Sequence, residues 1–159
     1  MEKILKKQAK EFMTKKVIAV EENESIKDLF KLMDKHGILG VPVVDKKLHV
    51  VGIVTEGDLL AHFTTLKTPR SINLLGGIVY LDNVEEFNKQ FKVHCAETVK
   101  ELMVKPVTVL MEDAPLQDTI NAIAKNHVNR LPVIDSKKRL VGIVTRSDVV
   151  HQLSKLKIV

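Results

Sequence analysis

The stretch VGIVTEGD at residues 51–58 returns at residues 141–148 as VGIVTRSD, ninety positions further along the chain. The same offset superposes Met13 on Met103 and Pro42 on Pro132, with no insertion in between. A fixed internal offset is typical of tandem structural units that share a core because neither copy buries its apolar face alone. The sequence therefore predicts two related halves that fold together.

The composition is that of a globular protein. The chain has 159 residues, of which 45% are hydrophobic and 28% charged, so a packed core is expected. No run approaches the roughly 20 apolar residues of a membrane helix, and charges interrupt the N-terminus where a secretion signal needs an apolar run. We therefore expect a cytoplasmic protein that does not bind a membrane. A single cysteine, Cys95, and six histidines without ligand spacing predict no disulfide and no metal site.

Hydrophobic spacing predicts the same order of elements in both halves: strand, helix, strand, strand, helix. In the first half the strands fall at residues 17–20, 41–44 and 49–54, with helices after Ser25 and from Glu56, and Gly37 ends the first helix. The second half repeats this with strands at 107–110, 131–134 and 140–144, a helix opened by Pro115 and a last helix from residue 146 to about 156. The predicted fold class is α+β: two β-α-β-β-α repeats packed through their sheets.

Two segments lie outside this pattern. Residues 1–13 predict an N-terminal amphipathic helix, since their apolar residues share one face. The linker at residues 64–98 has no counterpart in the repeat and is too long for a bare loop. It predicts a short strand at 78–81 and a helix capped by Asp82 or Asn83 that buries Val84, Phe87 and Phe91. We interpret it as a structured spacer, with a dimer contact or an effector surface as alternatives.

Each copy of the opening stretch places an aspartate three residues after a threonine, at a predicted junction of strand and helix: Thr55 with Asp58, and Thr145 with Asp148. A capping box explains this spacing. The same geometry suits a ribonucleotide, because a helix N-terminus attracts phosphate and a carboxylate accepts from both ribose hydroxyls. The glycine before each run would also let a ligand or a partner backbone approach closely. The residues alone leave both interpretations open.

Three segments of each half resemble the CBS domain, the motif first described in cystathionine β-synthase, and the two halves resemble a CBS pair. The segments are residues 13–20, 40–45 and 51–58, matched by 103–110, 130–135 and 141–148. The resemblance covers roughly residues 9–63 (repeat 1) and 99–154 (repeat 2). It implies a regulatory fold that binds adenosine-containing ligands such as AMP, ADP, ATP or S-adenosylmethionine.

The resemblance also implies two binding sites, one for each repeat. Its ribose-binding aspartate falls on Asp58 and Asp148, and the neighbouring hydroxyl falls on Thr55 and Thr145. Site 1 would comprise Val17, Ile18, Gly40, Val41, Pro42, Thr55 and Asp58. Site 2 would comprise Val107, Thr108, Val128, Arg130, Leu131, Pro132, Thr145, Arg146 and Asp148.

The two halves differ where a phosphate would lie. Arg130 corresponds to Gly40, and Arg146 corresponds to Glu56. A guanidinium binds phosphate through two parallel hydrogen bonds, whereas a glutamate repels it. Site 2 is therefore predicted to bind a phosphorylated nucleotide, while site 1 is empty or takes a less anionic adenosyl group. Surface solvation is the alternative for both arginines, and His127 is a further candidate for contact with the phosphate.

No catalytic motif appears: the sequence has no phosphate-cradling glycine loop, no zinc-protease helix motif and no serine nucleophile elbow. We expect a non-enzymatic module that needs no cofactor, takes an adenine nucleotide or S-adenosylmethionine as regulatory ligand, signals energy or metabolite state and forms a homodimer. One alternative is a dimerisation module with vestigial pockets. Another is a nucleic-acid-binding protein, which the net charge of +5 permits but the 4% aromatic content disfavours.

Overall fold

The computed structural model describes residues 2–156. A short helix α1 (Glu2–Leu5) precedes repeat 1, and a 3-10 turn (Ala9–Glu11) begins it. Repeat 1 contains β1 (Val20–Glu21), α2 (Ile26–His36), β2 (Gly40–Val44), β3 (Val50–Thr55) and α3 (Glu56–His62). The linker contains β4 (Ser71–Leu74), β5 (Gly77–Tyr80) and α4 (Val84–His94). Repeat 2 begins with helix α5 (Val99–Leu102) and continues with β6 (Leu110–Met111), α6 (Leu116–Asn126), β7 (Arg130–Ile134), β8 (Leu140–Thr145) and α7 (Arg146–Leu153). The α+β class and the β-α-β-β-α order are confirmed.

Each repeat forms its own three-stranded sheet with identical topology. The first strand pairs parallel to the second, and the second pairs antiparallel to the third. The register is also duplicated, since Pro42 pairs with Ile53 and Pro132 pairs with Ile143. Both central strands shift register at the same place, between residues 43 and 44 and between 133 and 134. The ninety-residue offset thus reproduces backbone pairing as well as sequence.

The helix boundaries agree with the predicted signals. The Ser25 side chain accepts a hydrogen bond from the Asp28 amide, and Gly37 ends α2 in the left-handed conformation at φ +60°. In repeat 2 His127 occupies the same position at φ +52°, where an L side chain is less favourable than glycine. Pro115 is the residue before α6 rather than its first helical residue.

The segment that begins each repeat packs on the other repeat. Ala9 and Phe12 belong to the core of repeat 2, and Val99 and Leu102 belong to the core of repeat 1. Backbone hydrogen bonds hold the crossing segments in place. Thr14 exchanges two with Ile143, at 2.9 and 3.0 Å, and Val104 exchanges two with Ile53, at 2.9 and 3.2 Å. The two halves therefore interlock.

The glycines in the repeated stretch serve this interlock. A Cβ atom at Gly52 would lie within 3.0 Å of three side-chain atoms of Met103, and one at Gly142 would meet Met13 in the same way. The expectation that these glycines admit a ligand or a partner backbone is wrong. Each one admits a methionine side chain from the segment that crosses over.

The N-terminal region is not one continuous helix. Its backbone is diverted to repeat 2, because the Ala9 amide donates to Ala114 O at 2.8 Å and the Lys10 amide to Glu112 O at 2.9 Å. Amides used in this way cannot form a helix with the preceding turn. Only α1 and the 3-10 turn remain of the helix predicted over residues 1–13, and Met1 lies outside the described residues.

The linker contains a hairpin, β4 with β5, where one strand was predicted. Its two ends are closed by Arg70, whose guanidinium and amide donate to the Asp82 carboxylate at 2.8–3.3 Å. The Asn83 side chain caps α4 as predicted, accepting from the Glu86 amide at 3.1 Å. The predicted burial of the apolar residues of α4 is wrong, since the helix has no buried residue and Phe91 is 48% exposed. No described helix has the length and apolar content needed to span a membrane.

Candidate functional site in the cleft between the repeats

Two neighbouring cavities lie in the cleft between the repeats. The first, of about 500 Å³, contacts the start of α7 and is called the α7 pocket; its lining is Thr14, Lys16, Val17, Ile18, Gly37, Ile38, Leu39, Gly40, Glu56, Asn129, Arg130, Ile143, Thr145, Arg146 and Ser147. The second, of about 350 Å³, contacts the start of α3 and is called the α3 pocket; its lining is Ile53, Thr55, Glu56, Gly57, Asp58, Val104, Pro106, Val107, Thr108, His127, Val128, Asn129 and Arg130. Both volumes fall within the usual range for small-molecule sites.

Each pocket joins the first-strand segment of one repeat to the helix N-terminus of the other. Val17 and Ile18 face Thr145 across the α7 pocket, while Val107 and Thr108 face Thr55 across the α3 pocket. The structure thus corrects the expected grouping, in which each site drew on one repeat. The chain crosses over just before each first strand, and this brings the apolar wall of one half to the polar wall of the other.

These first-strand segments are also shorter as strands than predicted. Pairing with β2 begins only at Val20, and pairing with β7 begins only at Leu110. Residues 17–19 and 107–109 are half-buried and form no ladder. A run of apolar residues predicts burial, but it does not tell a paired strand from an extended segment that lines a cavity.

Five predicted site residues do not line either pocket. Val41, Pro42, Leu131 and Pro132 are buried in the cores of their repeats, and the exposure of Val41 and Leu131 is 0%. Asp148 is half-buried and follows the pocket-lining residues Thr145, Arg146 and Ser147. Its counterpart Asp58 does line the α3 pocket.

Both aspartates form capping boxes of nearly equal geometry. Oδ2 of Asp58 accepts from the Thr55 amide at 2.8 Å and from its hydroxyl at 2.7 Å. Oδ2 of Asp148 accepts from the Thr145 amide and hydroxyl, both at 2.7 Å. The capping interpretation is therefore confirmed. The Oδ1 atom of each carboxylate has no hydrogen bond within residues 2–156, so it retains acceptor capacity.

Arg130 does not lie on the surface, contrary to the solvation alternative. Its side chain is 11% exposed, and Nη1 donates to Oε2 of Glu56 at 2.9 Å and to the Leu39 carbonyl. Burial by itself raises the pKa of Glu56. The hydrogen bond from Arg130, a backbone hydrogen bond and the guanidinium charge together outweigh this effect, so the pKa of Glu56 lies below its usual value. A charged pair thus separates the two pockets.

Arg146 differs from Arg130 in its surroundings. It is exposed and lines the α7 pocket, and its guanidinium makes no hydrogen bond to any other residue that the structure describes. Lys16 also lines the α7 pocket, and its exposed side chain makes no hydrogen bond within the described residues. His127, predicted to lie near the phosphate site, lines the α3 pocket instead. The α7 pocket therefore has two cationic groups free to meet an anion.

Sequence reasoning missed Lys16, Asn129 and the pairing role of Glu56. Lys16 belongs to repeat 1 but faces the helix of repeat 2, so no pattern within one repeat indicates it. Asn129 acts through its backbone, because its carbonyl accepts from the Arg146 amide at 2.8 Å and fixes the start of α7. Within the described residues no cluster of three or more histidine, cysteine or acidic side chains is arranged to hold a metal.

Comparison with known proteins accounts for this architecture. The family model for the CBS domain matches residues 9–64 and 99–155. The uncharacterized protein MJ1426 of Methanocaldococcus jannaschii is 30% identical over 151 residues, which cover 91% of this chain and 89% of that protein. Several other relatives are longer, and the chain spans 22–64% of their length.

Two solved structures share the fold. CBSX2 from Arabidopsis thaliana in complex with AMP is 26% identical with a TM-score of 0.72, over 94% of this chain and 98% of that one. The CBS domain pair of protein MJ0100, in complex with 5′-methylthioadenosine and S-adenosyl-L-methionine, is 26% identical with a TM-score of 0.67, over 93% and 96%. The duplicated sheets, the interlocked segments and the two family matches lead to one conclusion: the chain belongs to the CBS domain family and carries its domain as a tandem pair.

Proposed function

We propose that the chain is a non-catalytic regulatory module that binds an adenosine-containing ligand in the cleft between its repeats and so reports energy or metabolite state. One observation carries this proposal. In the α3 pocket, a capped helix N-terminus with a free Asp58 Oδ1 atom faces the apolar residues Val107 and Val128. Related pairs add support, since the CBSX2 structure contains AMP and the MJ0100 structure contains two adenosyl compounds.

The chemistry of the walls suits the parts of such a ligand. Valine and isoleucine side chains offer an apolar slot to adenine, as at Val17 and Ile18 of the α7 pocket. In the α3 pocket the Oδ1 atom of Asp58 is an acceptor for ribose hydroxyls, because Oδ2 is already used in capping. Each such charge-assisted hydrogen bond contributes about 1.5–3 kcal/mol.

The α7 pocket is the proposed site for a phosphorylated ligand. Arg146 and Lys16 add positive charge beside the first turn of α7, and a helix N-terminus itself favours anions. In the α3 pocket the positions that correspond to Lys16 and Arg146 are Pro106 and Glu56, so neither supplies a positive charge, and the carboxylate of Asp58 also lines this pocket. That pocket therefore suits an adenosyl group with less negative charge.

Calorimetric titration with adenosine, AMP, ADP, ATP and S-adenosylmethionine tests the proposal. Arg146→Gln should weaken AMP binding about tenfold or more, as expected for one lost charge-assisted contact, and should leave adenosine binding unchanged. Lys155→Gln is the matched control, since this exposed lysine follows α7 outside both pockets. Failure of all five ligands to bind would refute the proposed function. AMP binding that is insensitive to Arg146→Gln but is lost in Asp58→Asn would place the phosphorylated ligand in the α3 pocket.

The expected homodimer also remains a proposal, and the linker hairpin supports it. The pairing of Ile72 with Val79 places these residues and Leu74 on one face of the hairpin, where each is 43–56% exposed. Exposed contiguous apolar side chains often mark protein contacts. Light scattering on the wild type and on Ile72→Lys would test it, since a dimer through this face should dissociate in the variant. A cytoplasmic location stays a prediction. Nucleic-acid binding is tested by the gel shift of a labelled RNA at physiological salt, and we expect no shift.

A further inference from the structure

One guanidinium forms part of both pockets. Arg130 lies at the start of β7, and it lines the α7 pocket and the α3 pocket together with Glu56 and Asn129. Its side chain crosses the cleft, and its Nη1 atom reaches Glu56 and the Leu39 carbonyl of repeat 1. The two cavities therefore share a charged wall.

Gly40 is what makes this position available. A Cβ atom at residue 40 would lie 2.9 Å from Cδ and 3.0 Å from Cζ of Arg130. The backbone of Gly40 is not in the left-handed region, so the absent side chain matters for space rather than for conformation. The two differences between the repeats are thus complementary: Gly40 leaves room for Arg130, and Glu56 supplies its partner.

The shared guanidinium is limited in what it can neutralise. The Glu56 carboxylate already neutralises part of the Arg130 charge through Nη1. The Nε and Nη2 atoms of Arg130 make no hydrogen bond within the described residues. These two nitrogens present the fork that binds phosphate oxygens. For an anion in the α3 pocket, Arg130 is the only arginine or lysine in the lining. A second anion in the α7 pocket would compete for the same group and would repel the first across a wall one side chain thick.

We infer that Arg130 couples the two pockets negatively, so that a phosphorylated ligand held in the α7 pocket weakens phosphorylated-ligand binding in the α3 pocket. This inference rests on the proposed function, because it requires that both pockets accept adenosyl ligands. A coupling between two binding sites changes affinity by a factor of about five or more. The coupling depends on ligand charge, so adenosine should show none.

The chain offers a matched pair of variants that block one pocket at a time. Ser147 and Gly57 are counterparts in the first turns of α7 and α3, each exposed and each lining one pocket only. Ser147→Trp is designed to fill the α7 pocket and Gly57→Trp to fill the α3 pocket, and both variants keep arginine at position 130. Melting curves establish that both variants fold before titration.

Calorimetry on the full chain measures AMP binding to the α3 pocket twice: once while the α7 pocket is available, and once while it is blocked. The α3 pocket of Ser147→Trp should bind AMP at least about fivefold more tightly than the second AMP binds to the wild type. Gly57→Trp identifies which wild-type step belongs to the α7 pocket. With adenosine in place of AMP, the two values should agree.

Two further variants assign the effect to Arg130. Arg130→Gln should remove the difference between the wild-type and blocked backgrounds. Gly40→Ala should reduce it without deleting the charge, because its methyl group takes the place of the guanidinium. If the α3 pocket binds AMP equally tightly whether the α7 pocket is open or blocked, the inference is overturned and the proposed function is left intact. A coupling that persists in Arg130→Gln would also overturn it, and a chain that binds neither AMP nor adenosine would overturn both.

Discussion

The interlock between Met103 and Gly52 gives the sharpest test of how the two repeats hold together. Met103 is 9% exposed, and its Sδ, Cγ and Cβ atoms occupy the space that a side chain at Gly52 would need. Truncation of a buried methionine to alanine costs about 2–5 kcal/mol. We expect Met103→Ala to fall in the lower half of that range, since the side chain keeps some solvent contact.

Gly52→Ala should also destabilise the protein, although alanine is favoured over glycine in a strand by about 0.5–1 kcal/mol. The new methyl group would meet the Cβ atom of Met103 as well as the flexible end of its side chain, so the methionine cannot simply swing away. Overpacking of this kind costs about 1–3 kcal/mol. Subtracting the gain from the cost leaves a net loss centred on roughly 1 kcal/mol.

The double variant decides whether these two losses have one cause. With Met103 truncated, the methyl group of Gly52→Ala fills part of the vacated space, so the double variant should be about 1 kcal/mol or more less destabilised than the sum of the single losses. Urea denaturation followed by circular dichroism measures all four unfolding free energies, provided that the m-values stay constant.

A matched control uses Gly57, where the nearest atom to an added Cβ is the Thr55 hydroxyl at 3.6 Å. Gly57→Ala should stabilise the protein by up to about 1 kcal/mol and should add to Met103→Ala within about 0.5 kcal/mol. If the losses from Gly52→Ala and Met103→Ala are equally additive, the two side chains do not share one space and the interlock is refuted.

Three other expectations follow from the structure. The Arg70 side chain and amide lower the pKa of Asp82 to about 2; this carboxylate therefore stabilises the hairpin above its ordinary pKa of about 4, and the contribution is lost as the pH falls towards 2. Carboxyl NMR should show the low midpoint, and Arg70→Gln should return it towards 4. Thr145→Ala removes a cap that accepts from the Asp148 amide at 3.2 Å, and urea denaturation should show a loss of about 0.5–2 kcal/mol; an unchanged stability would mean that the cap contributes nothing. Leu131→Ala should cost about 2–5 kcal/mol of unfolding free energy while the folded protein keeps its AMP affinity, because Leu131 is fully buried and lines neither pocket; a selective loss of AMP affinity would contradict its placement in the core.

The repeat predicted the order of elements because local signals set them. Ser25 and Gly37 mark both ends of α2, and Thr145 with Asp148 marks the start of α7. Capping is a local hydrogen-bond requirement, so its residues can be recognised within a few positions of sequence.

The crossing of segments between the halves could not be predicted in the same way. Met13 and Met103 occupy equivalent positions in the repeat, and either could have packed on its own half or on the other half without any change in the alignment. Burial periodicity states that a residue is buried but does not name the surface that covers it. The grouping of site residues was wrong for this reason, since Val17 and Val107 follow the crossing segments into the opposite pocket.

The positions that differ between the repeats were recognised, but their relation to each other was not. Arg130 against Gly40 and Glu56 against Arg146 each indicated a local difference in charge. Only the three-dimensional arrangement shows that Arg130, Gly40 and Glu56 meet at one point, while the Arg146 guanidinium has no hydrogen-bond partner among the described residues. A contact between residues 74 positions apart has no local signal in a single sequence.

The exchange of covering segments also imposes an order on biosynthesis. Phe12 leaves the ribosome well before Val144, yet both residues belong to the same core. At elongation rates of about 5–20 residues per second, this side chain waits on the order of ten seconds for its partners. Repeat 1 is likewise incomplete until Val99 and Leu102 have emerged. The nascent chain therefore carries an exposed apolar segment until repeat 2 has emerged. Protection by a chaperone at the ribosome exit would matter more for this architecture than for two repeats that each close on themselves.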